Sequence, residues 1–127
     1  MADRLALVVD DEFHIVQVVS IKLRNNGFEV ITADNGLDAW KMVQEHKPDV
    51  VITDYQMPGL TGIELIEKIR GDEKTAQTPV ILLTARGFAI DDEQKQRLAV
   101  SACLSKPFSP REVLQTVENV IEQRTAV

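Results

Sequence analysis

Four stretches, far apart in the chain, end in residue types that can handle an anionic group. Asp10-Asp11-Glu12 follows an apolar run directly, and Asp54 closes the β-branched run Val50-Val51-Ile52-Thr53, just ahead of a turn that holds Pro58 and Gly59. Thr84 closes Val80-Ile81-Leu82-Leu83, and Lys106 follows Ala102-Cys103-Leu104-Ser105. Three adjacent acids at the end of a buried strand repel one another and cost stability unless a cation or hydrogen bonds compensate. Magnesium takes oxygen ligands and keeps several waters, so one or two carboxylates plus a phosphate are enough to hold it. A lysine is a point charge suited to a phosphoryl group, and a threonine hydroxyl can donate to an anionic oxygen. Each residue alone has a plainer reading: Asp54 caps a turn, Asp10 or Glu12 caps the following helix, Thr84 is structural and Lys106 is solvated. The argument for a site is the set, because all of its members lie at strand ends.

Five short apolar runs, at 5–9, 29–33, 50–53, 80–84 and 102–105, alternate with five helical patterns. Alternation of this kind predicts right-handed βαβ units and a parallel sheet with helices on both faces. The first, third and fourth runs are apolar almost throughout, as inner strands should be; the second is mixed and suits an edge. In such sheets ligands bind beyond the carboxyl ends of the strands. If the first and third strands are neighbours, Asp11 and Asp54 converge on one point.

The helices have readable ends. The first runs over about 13–26, with Ile15, Val16, Val19 and Leu23 inward, and stops at Asn25-Asn26-Gly27 because glycine adopts the left-handed C-terminal conformation cheaply. The second spans about 36–46, with Ala39, Trp40 and Val43 inward and Pro48 ending it. The third spans 62–70, with Leu65, Ile66 and Ile69 inward, and stops at Gly71. A polar and mobile loop is expected over 72–78. The fourth helix falls somewhere within 89–100 and has few apolar anchors. The fifth starts with Ser109 as cap, Pro110 in the first turn and Glu112 completing a capping box; Val113, Val117, Val120 and Ile121 repeat at helical spacing. The last three residues, Thr125-Ala126-Val127, carry no structural signal.

The 127 residues suit one domain, expected to span 1–127 with its core over about 5–121. A hydrophobic content of 44% with 27% charged residues excludes a disordered chain. No stretch is apolar and long enough to cross a bilayer, and the start, Met-Ala-Asp-Arg, has no signal-peptide pattern. The single cysteine, Cys103, excludes an internal disulfide and fits a reducing cytoplasm. A formal charge of −6 disfavours nucleic-acid binding by this domain.

Taken together, Val8-Val9-Asp10-Asp11-Glu12, Thr53-Asp54-Tyr55-Gln56-Met57-Pro58-Gly59, Leu83-Thr84-Ala85 and Ser105-Lys106-Pro107-Phe108 resemble the receiver domain of two-component response regulators, over about residues 5–121. The resemblance implies a flavodoxin-like doubly wound (βα)5 fold, an α/β architecture with a five-stranded parallel sheet in the order 2-1-3-4-5. It implies that Asp54 is the phospho-acceptor and that Lys106 pairs first with it and then with the phosphoryl group. It implies further that Thr84 moves to meet that group. Asp11, Asp54 and the backbone carbonyl of Gln56 would bind magnesium directly, with Asp10 acting largely through water; manganese is an alternative ion. The Lys106-Pro107 bond would be cis. The implied partners are a histidine kinase or histidine phosphotransfer protein and an output protein or attached output domain, with no membrane and no nucleic acid bound by this domain. A monomer is expected, with a dimer as the alternative, in the cytoplasm. The reading is of a signalling phospho-acceptor with self-catalysed transfer and dephosphorylation rather than an enzyme.

The chain departs from the family pattern in places. Cys103 stands where the family often has Tyr or Phe as the rotating partner of the Thr84 hydroxyl, and Ala99-Val100-Ser101 lacks the glycine common before the fifth strand. Gln56 and Arg86 fall where the family varies and tunes hydrolysis. Two other readings compete. A magnesium-dependent phosphohydrolase with an aspartyl-phosphate intermediate would carry Asp-x-Asp on its first strand, whereas here the acids are adjacent. A receiver-fold interaction module that is not phosphorylated would not need the acid, hydroxyl and lysine set. A nucleotide site fails for want of a Gly-rich loop after the first strand.

Overall fold

The structure, a computed structural model, describes residues 4–57, 59–85 and 91–125. Strands and helices alternate throughout: β1 (Arg4–Val9), α1 (Phe13–Arg24), β2 (Phe28–Ala33), α2 (Gly36–His46), β3 (Val50–Asp54), α3 (Gly62–Gly71), β4 (Val80–Thr84), α4 (Asp92–Arg97), β5 (Ala102–Ser105) and α5 (Pro110–Thr125). The sheet order is β2-β1-β3-β4-β5 and every pairing is parallel, as the resemblance implied. All strands therefore deliver their carboxyl ends to one rim. The register sets Val9 beside Thr53, Asp54 beside Leu83, and Thr84 beside Ser105, which lines up the residues that follow each strand.

Alternation along the strands divides the core in two. Leu7, Val9, Val51, Val80 and Leu82 pack on one face with Ala39 and Val43 of α2 and Leu65, Ile66 and Ile69 of α3. Ala6, Val8, Val50, Ile52, Ile81 and Leu83 pack on the other with Val19 and Leu23 of α1 and Val113 and Val117 of α5. β1, β3 and β4 are buried on both faces, which is why their sequences show no polar alternation. β2 is an edge strand, as expected from its mixed composition. Ile15, Val16 and Trp40 are only partly buried, at the margins of the two clusters.

Helix ends follow local chemistry. Gly27 takes φ +90 after α1. α2 ends not on glycine but on Lys47, which adopts the left-handed conformation with φ 46 and donates its N–H to the Val43 carbonyl. The capping box at Ser109 and Glu112 forms, each backbone N–H reaching the other's side chain at 3.1 Å. A second box, Thr61 with Glu64, opens α3; the Thr-x-x-Glu spacing encodes it, although the sequence reading passed over it. α4 is only Asp92–Arg97, and none of its six residues is buried; the start of the expected interval, at Ala89, lies outside the described residues, as does Pro58.

The 72–78 loop differs from expectation, because it is tied down. Thr75 is buried and its hydroxyl donates to the Ile69 carbonyl at 2.7 Å. The Arg70 guanidinium donates to the carbonyls of Ala76 and Thr78 at 3.0 and 2.6 Å, and also reaches Leu98 and Ala99 at 2.8 and 3.1 Å. One side chain thus anchors this loop to the end of α4.

At the rim, α3 begins hard against the end of β3. Gly62 donates its N–H to the Tyr55 carbonyl at 2.8 Å, and a Cβ added there would overlap the Asp54 carbonyl oxygen. Gly71, at the other end of the helix, has nothing within 4 Å of such a Cβ. Gly62→Ala is expected to destabilise by roughly 1–3 kcal/mol through overpacking against backbone, whereas Gly71→Ala should be neutral or stabilising by up to about 1 kcal/mol. Urea unfolding of the two variants checks the contrast.

Candidate functional site

Each residue that follows a strand end is fixed by an extension of the ladder. Asp10 N–H continues the β1–β2 pairing onto the Ala33 carbonyl at 3.2 Å. The Asp10 side chain then turns back, its Oδ1 accepting the Glu12 N–H at 2.9 Å. Glu12 is the N-cap of α1 but its side chain makes no capping hydrogen bond, so the expected side-chain cap from Asp10 or Glu12 is replaced by this short turn. Asp54 is the last residue of β3, and its Oδ1 accepts the Tyr55 N–H at 3.0 Å while Tyr55 N–H also reaches the Leu83 carbonyl at 2.9 Å. Lys106 N–H is bound to the Thr84 carbonyl at 2.8 Å, which carries its side chain back over β1 and β3. The Lys106-Pro107 peptide is cis, as the resemblance implied.

The result is one ammonium among three carboxylates. Lys106 Nζ lies 3.1 Å from Asp10 Oδ2, 3.0 Å from Glu12 Oε1 and 3.3 Å from Asp54 Oδ1. Asp10 is fully buried and Asp54 is 7% exposed. Burial first, and then the charge of Asp10, raise the Asp54 carboxyl to about 6 against the pull of Lys106. Asp10 is likewise raised by its burial. Burial would lower Lys106, but Glu12, then Asp10 and Asp54, override it and hold the ammonium well above its ordinary value.

Asp10, Asp11 and Asp54 each present a carboxylate oxygen, all within 4.8 Å of one another. Asp10 Oδ2 is buried and lacks an aligned hydrogen bond despite its approach to Lys106. An all-oxygen trio with an orphaned buried carboxylate oxygen fits a hard divalent cation, since a second positive charge would relieve the excess of negative charge. A cavity of about 340 Å³ opens above the trio, lined by Asp11, Glu12, Asp54, Tyr55, Gln56, Ala85 and Lys106.

The structure therefore brings together Asp10, Asp11, Asp54 and Lys106, and puts Gln56 on the same cavity. Thr84 ends β4 at this rim, but its side chain is buried and its hydroxyl donates to the Leu104 carbonyl at 3.4 Å rather than into the cavity. Glu12 is the residue the sequence reading undervalued: it counted as the third acid of a cluster, yet it makes the shortest contact to Lys106. Cys103 packs partly buried against the α2/α3 cluster, and burial pushes its thiol up, away from reactivity. Arg86 lies outside the described residues.

The chain and its fold resemble known proteins. The family model for the response regulator receiver domain matches residues 6–118. The chain is 36% identical over 125 residues to the phosphate regulon transcriptional regulatory protein PhoB of Pseudomonas aeruginosa, covering 97% of this chain and 54% of that one. It is 36% identical over 117 residues to the alkaline phosphatase synthesis transcriptional regulatory protein PhoP of Bacillus subtilis, covering 92% and 48%. The chain spans about half the length of these curated relatives. Among solved structures, the chemotaxis response regulator CheY4 of Vibrio cholerae superposes with a TM-score of 0.85 at 33% identity, covering 92% of this chain and 98% of that one.

The raised Asp54 pKa has a pH signature. Between 3.8 and about 6 the folded protein holds a proton on Asp54 that the unfolded chain has already released, so stability falls as pH rises through this window. Asp54→Asn removes that penalty. Without divalent cation the variant is expected to exceed the parent by roughly 1–3 kcal/mol above pH 6, with the difference vanishing below pH 4. Urea unfolding across pH 3.5–7.5 in a chelator reads both arms.

Proposed function

Because the chain belongs to the response regulator receiver domain family, we propose that Asp54 accepts a phosphoryl group within a two-component phosphorelay. The observation that carries this is the Lys106 ammonium 3.3 Å from Asp54 Oδ1, at a cavity edged by two further carboxylates of the cation-binding type. The donor is a phosphohistidine on a histidine kinase or histidine phosphotransfer protein. An ionised Asp54 oxygen attacks phosphorus, an O–P bond forms, the P–N bond breaks, and the electron pair leaves on the imidazole nitrogen. With its carboxyl at about 6, Asp54 is mostly ionised at neutral pH and needs no general base. The remaining demand is positioning and charge neutralisation, as for other loose phosphoryl-transfer transition states.

Asp10, Asp11, Asp54 and the Gln56 carbonyl would hold magnesium, or manganese in its place, which supplies charge neutralisation for the phosphoryl oxygens. Lys106 donates one N–H to the transferred group. Thr84 has a long hydrogen bond of 3.4 Å to give up, and its hydroxyl would turn toward the new anion. The added group carries roughly −1.5 to −2 charges, and the pull on Thr84 and the Ala85 amide biases β4 and α4 between two packings. Hydrolysis of the acyl phosphate resets the site, so the chain acts as a switch rather than as a turnover enzyme. The whole described chain serves as one receiver unit, with its core over about 5–121, working in the cytoplasm. Its relatives are named as transcriptional regulatory proteins and are about twice as long. That supports control of an attached output domain or a docked output protein; −6 net charge argues against nucleic-acid binding by the receiver itself.

Asp54→Asn is expected to abolish labelling by a small phosphodonor in magnesium, read by intact mass; full labelling of that variant rejects the assignment. Lys106→Ala should remain folded and show a weakened conformational change on phosphorylation, followed by the amide spectrum of the segment after β4. An unchanged response would remove Lys106 from the mechanism.

A further inference from the structure

Three carboxylate oxygens lie within 3.0 to 3.3 Å of Lys106 Nζ, but among the described residues only Glu12 Oε1, at 3.0 Å, accepts an aligned hydrogen bond from it. The N–H turned toward Glu12 is therefore already engaged, and a phosphoryl oxygen that takes it must displace its partner. Asp54 is the acceptor itself. Asp10 is fully buried and pinned by the Glu12 N–H, so its charge has nowhere to go. Glu12 differs from both. Its side chain is 47% exposed and makes no capping hydrogen bond to the helix it begins. Among the described residues, the His14 Nε2 stands 3.9 Å from Glu12 Oε2, at an exposed position. Swinging Glu12 into water costs little, because exposed ion pairs contribute little.

We propose that Glu12 is a positioning residue that occupies the outward N–H of Lys106 in the resting protein and is displaced from it by the phosphoryl group. The inference rests on the reading of Asp54 as acceptor and adds to it a competing anion supplied by the chain itself. Glu12 thereby holds Lys106 in place over Asp10 and Asp54, and makes capture of an anionic donor conditional on exchanging one carboxylate for one phosphoryl oxygen.

The test is the second-order rate of labelling by acetyl phosphate in saturating magnesium, with Asp54 displacing acetate from phosphorus. Four proteins are compared: the parent, Glu12→Ala, Lys106→Ala and the double variant. Glu12→Ala is expected to label faster by about two- to five-fold, the scale of an exposed ion pair. Glu12→Gln, which keeps an acceptor without the charge, should fall between it and the parent. The acceleration should vanish in the Lys106→Ala background, since the two residues act through one contact. Unchanged or slower labelling of Glu12→Ala, with its unfolding midpoint retained, overturns the proposal. So does an equal acceleration in the Lys106→Ala background, which would reduce Glu12 to a general repulsion of anions. Failure of the parent itself to label condemns the acceptor assignment, and this inference with it, before any variant is compared.

Discussion

The architecture of the rim depends on one buried imbalance, a single ammonium serving three carboxylates. Lys106 reaches Asp10, Glu12 and Asp54 from the far side of two strands, and two of those acids are almost wholly out of water. Such an arrangement is tolerable only if the backbone forces it. Here the parallel register does so. β1 and β3 are adjacent and both buried on two faces, so their terminal carboxylates cannot be turned to solvent without unpairing a ladder. The start of α3 closes the remaining escape, since Gly62 lies against the Asp54 carbonyl with no room for a side chain. Unrelieved negative charge is thus a product of the fold, and it is the property that suits the cavity to a divalent cation and a phosphoryl group.

Much of this was readable in the chain because the responsible signals are local. Doubly buried strands write themselves as unbroken apolar runs, and β4 falls within its expected bounds; β5, a partly buried edge strand, also keeps its expected bounds. Capping boxes need only four residues, and Ser109 with Glu112 and Thr61 with Glu64 share the same spacing. What could not be read was the tertiary use of backbone acceptors. Arg70 looked like an ordinary charged residue in the last turn of α3, yet its guanidinium binds four carbonyls from two separate segments. Carbonyls carry no residue identity, so nothing in the 72–78 composition announces that this loop is held. The same applies to Thr84, whose position at a strand end was legible but whose hydroxyl chose the Leu104 carbonyl over the cavity.

The Arg70 contacts also explain how α4 tolerates its exposure. None of the six residues of α4 is buried, and its attachment lies just beyond its C-terminus, where Leu98 enters the core at 2% exposure. Ala99 then takes φ 50, a left-handed conformation that costs a non-glycine residue energy. This is the place where the glycine common before the fifth strand is absent. Arg70 binds the carbonyls of both Leu98 and Ala99, so the turn is held by a side chain from α3 instead of being made cheap by glycine. The Arg97–Glu67 pair at 3.3 Å adds a second, exposed link between the same two helices.

A division of labour between the two ends of α4 follows. Its C-terminal end is fixed by a buried leucine and a guanidinium on α3. Among the described residues its N-terminal end is held by a local contact, the Asp91 side chain accepting the Gln94 N–H at 2.8 Å. Under the proposed function, a change of charge at the rim would act first through Thr84 and Ala85, at the end of β4. Cys103 sits along this route, between Leu82 and the α2/α3 cluster, in the position where a larger aromatic ring would have to rotate to follow Thr84. A small, half-buried thiol poses no such steric requirement. Movement of the Thr84 hydroxyl would then need no coupled ring flip.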